Sequence, residues 1–111
     1  MKTVFVTFVN KKVESEFYLL KEGRFEERGQ YSLLFKAFQN IKTDPSCGTK
    51  LPNRLWPKIY FKKYGHMNNL WKYDLPSGQR LIYTLAENDL QIVCFVFEWL
   101  SHKDYEKRFK Y

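Results

Sequence analysis

Two stretches of this chain mix positive charge with aromatic rings closely enough to act on a polyanion. In the first, Pro57 to Gly65, Lys58, Lys62 and Lys63 are interleaved with Tyr60, Phe61 and Tyr64. Lysines at that density can follow a phosphate chain while the rings stack on bases. An amphipathic turn with its rings in the core and its lysines in water has the same spacing, and the residue types do not separate the two. The second stretch, Asn69 to Phe109, carries Lys72, Asp74 and Arg80 about one turn, then His102, Lys103 and Tyr105 near its end.

Those groups can act together only if a hairpin puts them on one side of a sheet. Leu75-Pro76-Ser77-Gly78-Gln79 has proline where a type I turn presets φ, and glycine where a following residue needs φ > 0. The combination predicts a three-residue loop with a glycine bulge, pairing Leu75 with Gln79. Counting outward, Asp74 faces Arg80 and Lys72 faces Ile82, so Lys72, Asp74 and Arg80 share a face. Trp71, Tyr73, Leu75, Leu81, Tyr83 and Leu85 fall on the other, which is apolar enough to seat helices. A four-residue loop would put Arg80 under those helices, and a buried unpaired arginine is costly, so the bulged loop is the expected register.

A two-residue turn at Asn88-Asp89 would add Phe95, Phe97 and Trp99 to the face of Lys72 and Arg80. Those rings line a basic cleft or form a small second core. Beyond the strand, Ser101 is a good helix N-cap, and His102 and Tyr105 stand three apart on the helix it starts. Taken alone His102 is a surface histidine. Its basic company at the end of a central strand is what makes it a candidate.

The elements that must position these groups lie upstream. Lys2 to Val9 is β-branched and aromatic on both faces, which predicts a strand interior to the sheet or covered on both sides. Lys11 to Lys21 carries Val13, Phe17 and Leu20 on one helix face, and Gly23 can end that helix. Tyr31, Leu34, Phe35, Phe38 and Ile41 form a broader stripe on a second helix that stops at Asp44-Pro45. Its start lies in EGRFEERGQ, whose two glycines leave a short helix, a kink and a loop open. Trp56-Pro57 begins a short helix that Gly65 stops. The expectation is a single α+β domain over residues 1–111: a mostly antiparallel four-stranded sheet, two N-terminal helices packed on one face and a short C-terminal helix.

Composition narrows the class of partner. A chain of 111 residues with 44% hydrophobic and 19% aromatic content can bury one core and is not of the disordered class. No apolar run reaches the ~20 residues of a membrane-spanning helix. MKTVFVTFVN begins like a signal peptide, but polar Asn10-Lys11-Lys12 follows without a small-residue cleavage site, so a cytoplasmic address is expected. The formal charge of +7 and pI near 9.4 favour nucleic acid or an acidic protein as partner, over a basic surface with none. Cys47 lies in the turn-like DPSCG and Cys94 among apolar strand residues; neither spacing suggests a disulfide framework or a zinc site, and Cys94 reads as core. No metal or other cofactor is expected.

LWKYDLPSGQRLIYTL, the apolar strand QIVCFVFEWL and the tail SHKDY together resemble the RelE/ParE toxin superfamily, in particular its RelE-like messenger-RNA endonuclease branch. The likeness covers about forty residues as sequence and nearly the whole chain as order of elements. It implies Lys72 and Arg80 as phosphate and transition-state contacts, His102 or Lys103 as a further charged or proton-transfer group, and Tyr105 as a base-stacking or catalytic tyrosine. Lys58, Lys62, Lys63 and Tyr64 are the expected RNA-binding residues. Where several RelE-like members have a second basic residue on the first hairpin strand, this chain has Asp74, which could pair with Arg80 or act as a base.

Cutting RNA with its own 2′-OH needs a base for that proton, an acid for the leaving 5′-oxygen and cations around the phosphorane, and no metal. The resemblance therefore implies a metal-independent toxin that cleaves messenger RNA, held in line by the ribosome and silenced by a cognate antitoxin. The ParE branch of the same superfamily poisons gyrase instead. A binding protein without nuclease activity is thus the alternative.

Overall fold

The Leu75 to Gln79 turn closes as its proline and glycine require. Gly78 has φ +89°, its N–H donates to the Leu75 carbonyl at 2.9 Å, and the Leu75 N–H donates to the Gln79 carbonyl at 2.8 Å. In the computed structural model, which describes residues 2–110, this loop joins β3 (Trp71–Asp74) to β4 (Arg80–Glu87). Asp74 pairs with Arg80 and Lys72 with Ile82, the expected register.

Among the described residues the fold is α+β, with four α-helices around a five-stranded mixed sheet of order β1-β5-β4-β3-β2. Strand β1 (Thr3–Phe8) runs parallel to β5 (Gln91–Leu100), and every other pairing is antiparallel. The fifth strand, β2 (Thr49–Lys50), pairs with β3. Two residues are too few to show a period, which is why four strands were expected. Gly48 lets this segment approach, since a Cβ there would fall 2.5 Å from the Lys72 carbonyl oxygen.

Helices α1 (Lys11–Lys21) and α2 (Phe25–Thr43) cover one face of the sheet. Asn10 caps α1 by accepting the Val13 N–H at 3.0 Å. Glu22, Gly23 and Arg24 form the short connection from α1, and helix α2 then runs unbroken through Gly29. Val13, Phe17, Leu34, Phe38 and Ile41 meet Leu75, Leu81, Tyr83, Cys94 and Val96, all buried. A fully buried side chain of this kind contributes about 1.5–3 kcal/mol, so this layer holds the hairpin in place.

A second cluster occupies the opposite face. Helices α3 (Lys58–Tyr64) and α4 (His102–Phe109) bring Tyr60, Tyr105 and Phe109 onto Ile82, Phe97 and Leu100. Of the strand rings, Phe97 joins this second core. Among the described residues no helix is long and apolar enough to cross a membrane.

Three expectations are corrected. Strand β1 is an edge, not interior: Val6 and Phe8 pack towards α1 and α2, while Phe5 on the other face is 48% exposed. A short apolar run reads alike in both positions, because its covered face alone accounts for the pattern. The turn after β4 is centred on Asp89 and Leu90, with the Asn88 N–H donating to the Gln91 carbonyl at 3.0 Å and the Asn88 side chain accepting from Leu90 and Gln91. Trp99 does not join the face of Arg80. A β-bulge sets Ile82 opposite Glu98 but Tyr83 opposite Val96, so the alternation flips once and Trp99 turns towards Phe17 of α1.

Candidate functional site

The outer end of the hairpin gathers the charged residues that the register puts on one face. The Lys72 ammonium donates to both Asp74 oxygens at 2.8 and 3.0 Å. The Arg80 Nε lies 2.9 Å from Asp74 Oδ1 with its N–H turned away, an ion pair without a hydrogen bond. Arg80 also donates from Nη1 to the Gly78 carbonyl, so the bulged loop itself fixes the guanidinium. One carboxylate thus bridges two cations. The cluster keeps net positive charge while Asp74, at 55% exposure, stays open to solvent.

Helix α4 adds the ring beneath. Leu100 is opposite Arg80, and the chain turns into α4 directly after it, with Ser101 accepting the Asp104 N–H at 3.1 Å as its cap. The turn carries Tyr105 under the hairpin, where its ring lies 5.6 Å from the Arg80 guanidinium carbon and stacks on Phe109 at 4.5 Å between centroids. Tyr105 is 3% exposed, so its faces are occupied by protein and not offered to a base. His102 and Lys103 stay on the solvent side of α4, and His102 pairs with Glu106 at 2.7 Å one turn along. Lys72, Asp74, Arg80 and Tyr105 therefore converge, and His102 stands apart on the helix that holds Tyr105.

The residues of α3 divide by the same face rule. Lys58, Lys62 and Lys63 are exposed, whereas Tyr64 is half-buried and stacks at 4.6 Å on Phe97. They lie on the same side of the sheet as Arg80, with the second core between. Tyr60 and Tyr64 thus turn inward and the lysines outward, as in the amphipathic-turn reading of that spacing, while Phe61 is exposed.

A polar network missed by the sequence reading ties α3 to α4. The bulge turns Glu98 onto the second face, where Tyr60 donates its hydroxyl to Oε2 and Arg108 reaches both oxygens at 3.2 and 3.3 Å. Burial, then the Glu98 carboxylate, holds the Tyr60 hydroxyl well above the usual phenol range, and Tyr64 is raised by the same two causes. Glu98 is the only charge within the apolar run QIVCFVFEWL, a signal that could have marked it. Comparison with family models, with curated proteins and with solved structures returns no match to this chain.

Proposed function

We propose that this chain is a RelE-like member of the RelE/ParE superfamily and acts as a type II toxin that cleaves messenger RNA on the ribosome. One observation carries the reading: the Arg80 guanidinium is fixed in advance, over the Tyr105 ring and against the Gly78 carbonyl, with the Lys72 ammonium bound to the same Asp74. A cation held before the reaction begins stabilises a developing phosphorane without reorganisation. The net charge of +7 supplies attraction to any phosphate chain. For proton transfer the chain offers Asp74 inside the cluster and His102 or Lys103 on the exposed side of α4. Tyr105, being buried, serves as the platform of Arg80 and not as a stacking surface.

The test is a translation reaction with a reporter transcript. Wild type cuts within codons, and Arg80→Ala loses on the order of 3 kcal/mol in the chemical step, roughly a hundredfold. Asp74 favours a second reading, a protein of the same fold that binds gyrase or another partner without cutting, since it halves the charge that Lys72 and Arg80 would present. Intact transcripts with stalled DNA supercoiling decide for that one.

A further inference from the structure

A cavity of about 690 Å³ lies on the second face of the sheet towards the Ala86 end of β4, and neither Lys72 nor Arg80 lines it. Tyr64 and Phe95 give it ring walls, with buried Phe97 behind Tyr64. Exposed Lys50, His66 and Asn68 contribute to its lining and open it to solvent.

The polar groups are few and differ in kind. The His66 ring meets Asn68 Oδ1 at 3.0 Å, so the amide N–H groups are what Asn68 has to offer a ligand. Lys50 enters no ion pair among the described residues. The one carboxylate in the lining, Glu87, is taken by Lys2 at 2.7 Å. The cavity thus combines ring faces, an amide donor and an unspent positive charge. Its volume falls in the range of small-molecule sites, about 300–1,000 Å³.

We propose that this cavity binds a ribonucleotide unit, its base against the rings of Tyr64 and Phe95, its polar edge at Asn68 and its phosphate at Lys50. A lipid chain would not need the amide and the ammonium, and a simple anion would not need the rings. The unit is either a free nucleotide or one residue of single-stranded RNA; the second source rests on the proposed RNA-directed function and extends it with a pocket that reads a base away from the scissile bond.

The experiment titrates the full chain, by calorimetry and by NMR, with the common ribonucleoside 5′-monophosphates, with a short single-stranded RNA, and with ribose 5-phosphate as the base-free control. A nucleotide or the RNA binds and ribose 5-phosphate does not, and Lys50→Ala and Phe95→Ala each weaken binding about tenfold. Binding of mononucleotides identifies the free ligand as source; binding of the RNA alone identifies the chain. Absence of binding by either, equal binding of ribose 5-phosphate, or full affinity in Lys50→Ala overturns the proposal; that residue is exposed, so its loss leaves the fold intact. Nucleotide binding without transcript cleavage leaves the pocket standing and removes the nuclease, and cleavage without nucleotide binding does the reverse.

Discussion

The Arg80 guanidinium carbon lies 5.6 Å from the centre of the Tyr105 ring, which joins the second strand of the hairpin to the last helix. The two residues are 25 apart in the chain and meet because Arg80 is paired with Leu100, where β5 gives way to α4. Such a contact contributes roughly 0.5–2 kcal/mol, more as water is excluded. Tyr105→Phe keeps the ring and is expected to lose no more than about 1.5 kcal/mol of stability, the value of one hydrogen bond. Tyr105→Ala empties the space between Arg80 and Phe109 and costs about 3–5 kcal/mol. Urea unfolding of both variants measures the difference; equal losses would mean that the ring is not what supports Arg80.

Much of this site was legible because the loop Pro76-Ser77-Gly78 leaves little choice. A proline, a glycine and a two-residue side-chain period are enough to place Lys72, Asp74 and Arg80 on one face. The helices were equally legible from the stripes ending at Leu20 and Ile41. What could not be counted was the bulge after Val96. An extra residue in one strand is settled by packing against Tyr60 and Phe17, not by local pattern, and it decided the sides of both Glu98 and Trp99. The burial of Tyr105 was hidden for a related reason: a helix after Ser101 fixes the spacing of His102 and Tyr105 but not which of them turns inward.

Glu98 holds two helices at once, and its removal should loosen one of them first. Glu98→Ala leaves the Tyr60 hydroxyl and the Arg108 guanidinium without their acceptor, at a cost of about 1–3 kcal/mol. The figure stays below that for a deeply buried ion pair because the Glu98 and Arg108 side chains are 21% and 32% exposed. Hydrogen exchange should quicken over residues 102–109, which rest on the sheet through Tyr105, Arg108 and Phe109, while the paired centre of β4 and β5 stays protected. Uniform quickening across both regions would remove the role given to Glu98.

Buried hydroxyls make the fold sensitive to alkali. Burial is the first cause raising Tyr60 and Tyr83 above the ordinary phenol value of 10.0, and Cys94 above the ordinary thiol value of 9.0. A group that holds its proton more tightly when folded gives full stability below its unfolded pKa. Above that value the unfolded chain releases the proton and the folded chain does not, so stability falls as pH rises. Loss should therefore begin near pH 9 and steepen above pH 10, each group adding about 1.4 kcal/mol per pH unit. Tyr60→Phe is less stable at neutral pH, since Glu98 loses a donor, yet its slope above pH 10 is shallower by about that amount. Parallel slopes for wild type and variant would contradict the burial of an un-ionised Tyr60.

Asp74 decides what the hairpin cluster is for, because it touches both cations and yet is exposed. Asp74→Asn removes the negative charge at nearly constant shape, and its effect on stability stays within about 1 kcal/mol, since exposed ion pairs contribute little. Lys72 and Arg80 are then free to meet phosphates. Affinity for single-stranded RNA should rise, and the dependence of log K on log salt should steepen by about 0.7 for each phosphate newly contacted. Fluorescence anisotropy across a salt series reads both quantities. Cleavage gives the second half of the answer: if Asp74 only restrains the cations, transcript cutting in the translation assay rises with affinity, whereas if it takes the 2′-OH proton, cutting collapses while binding improves. Unchanged affinity and an unchanged salt slope in Asp74→Asn would mean that Lys72 and Arg80 do not meet the phosphate chain at all, and the RNA-cleaving function would then have to be abandoned.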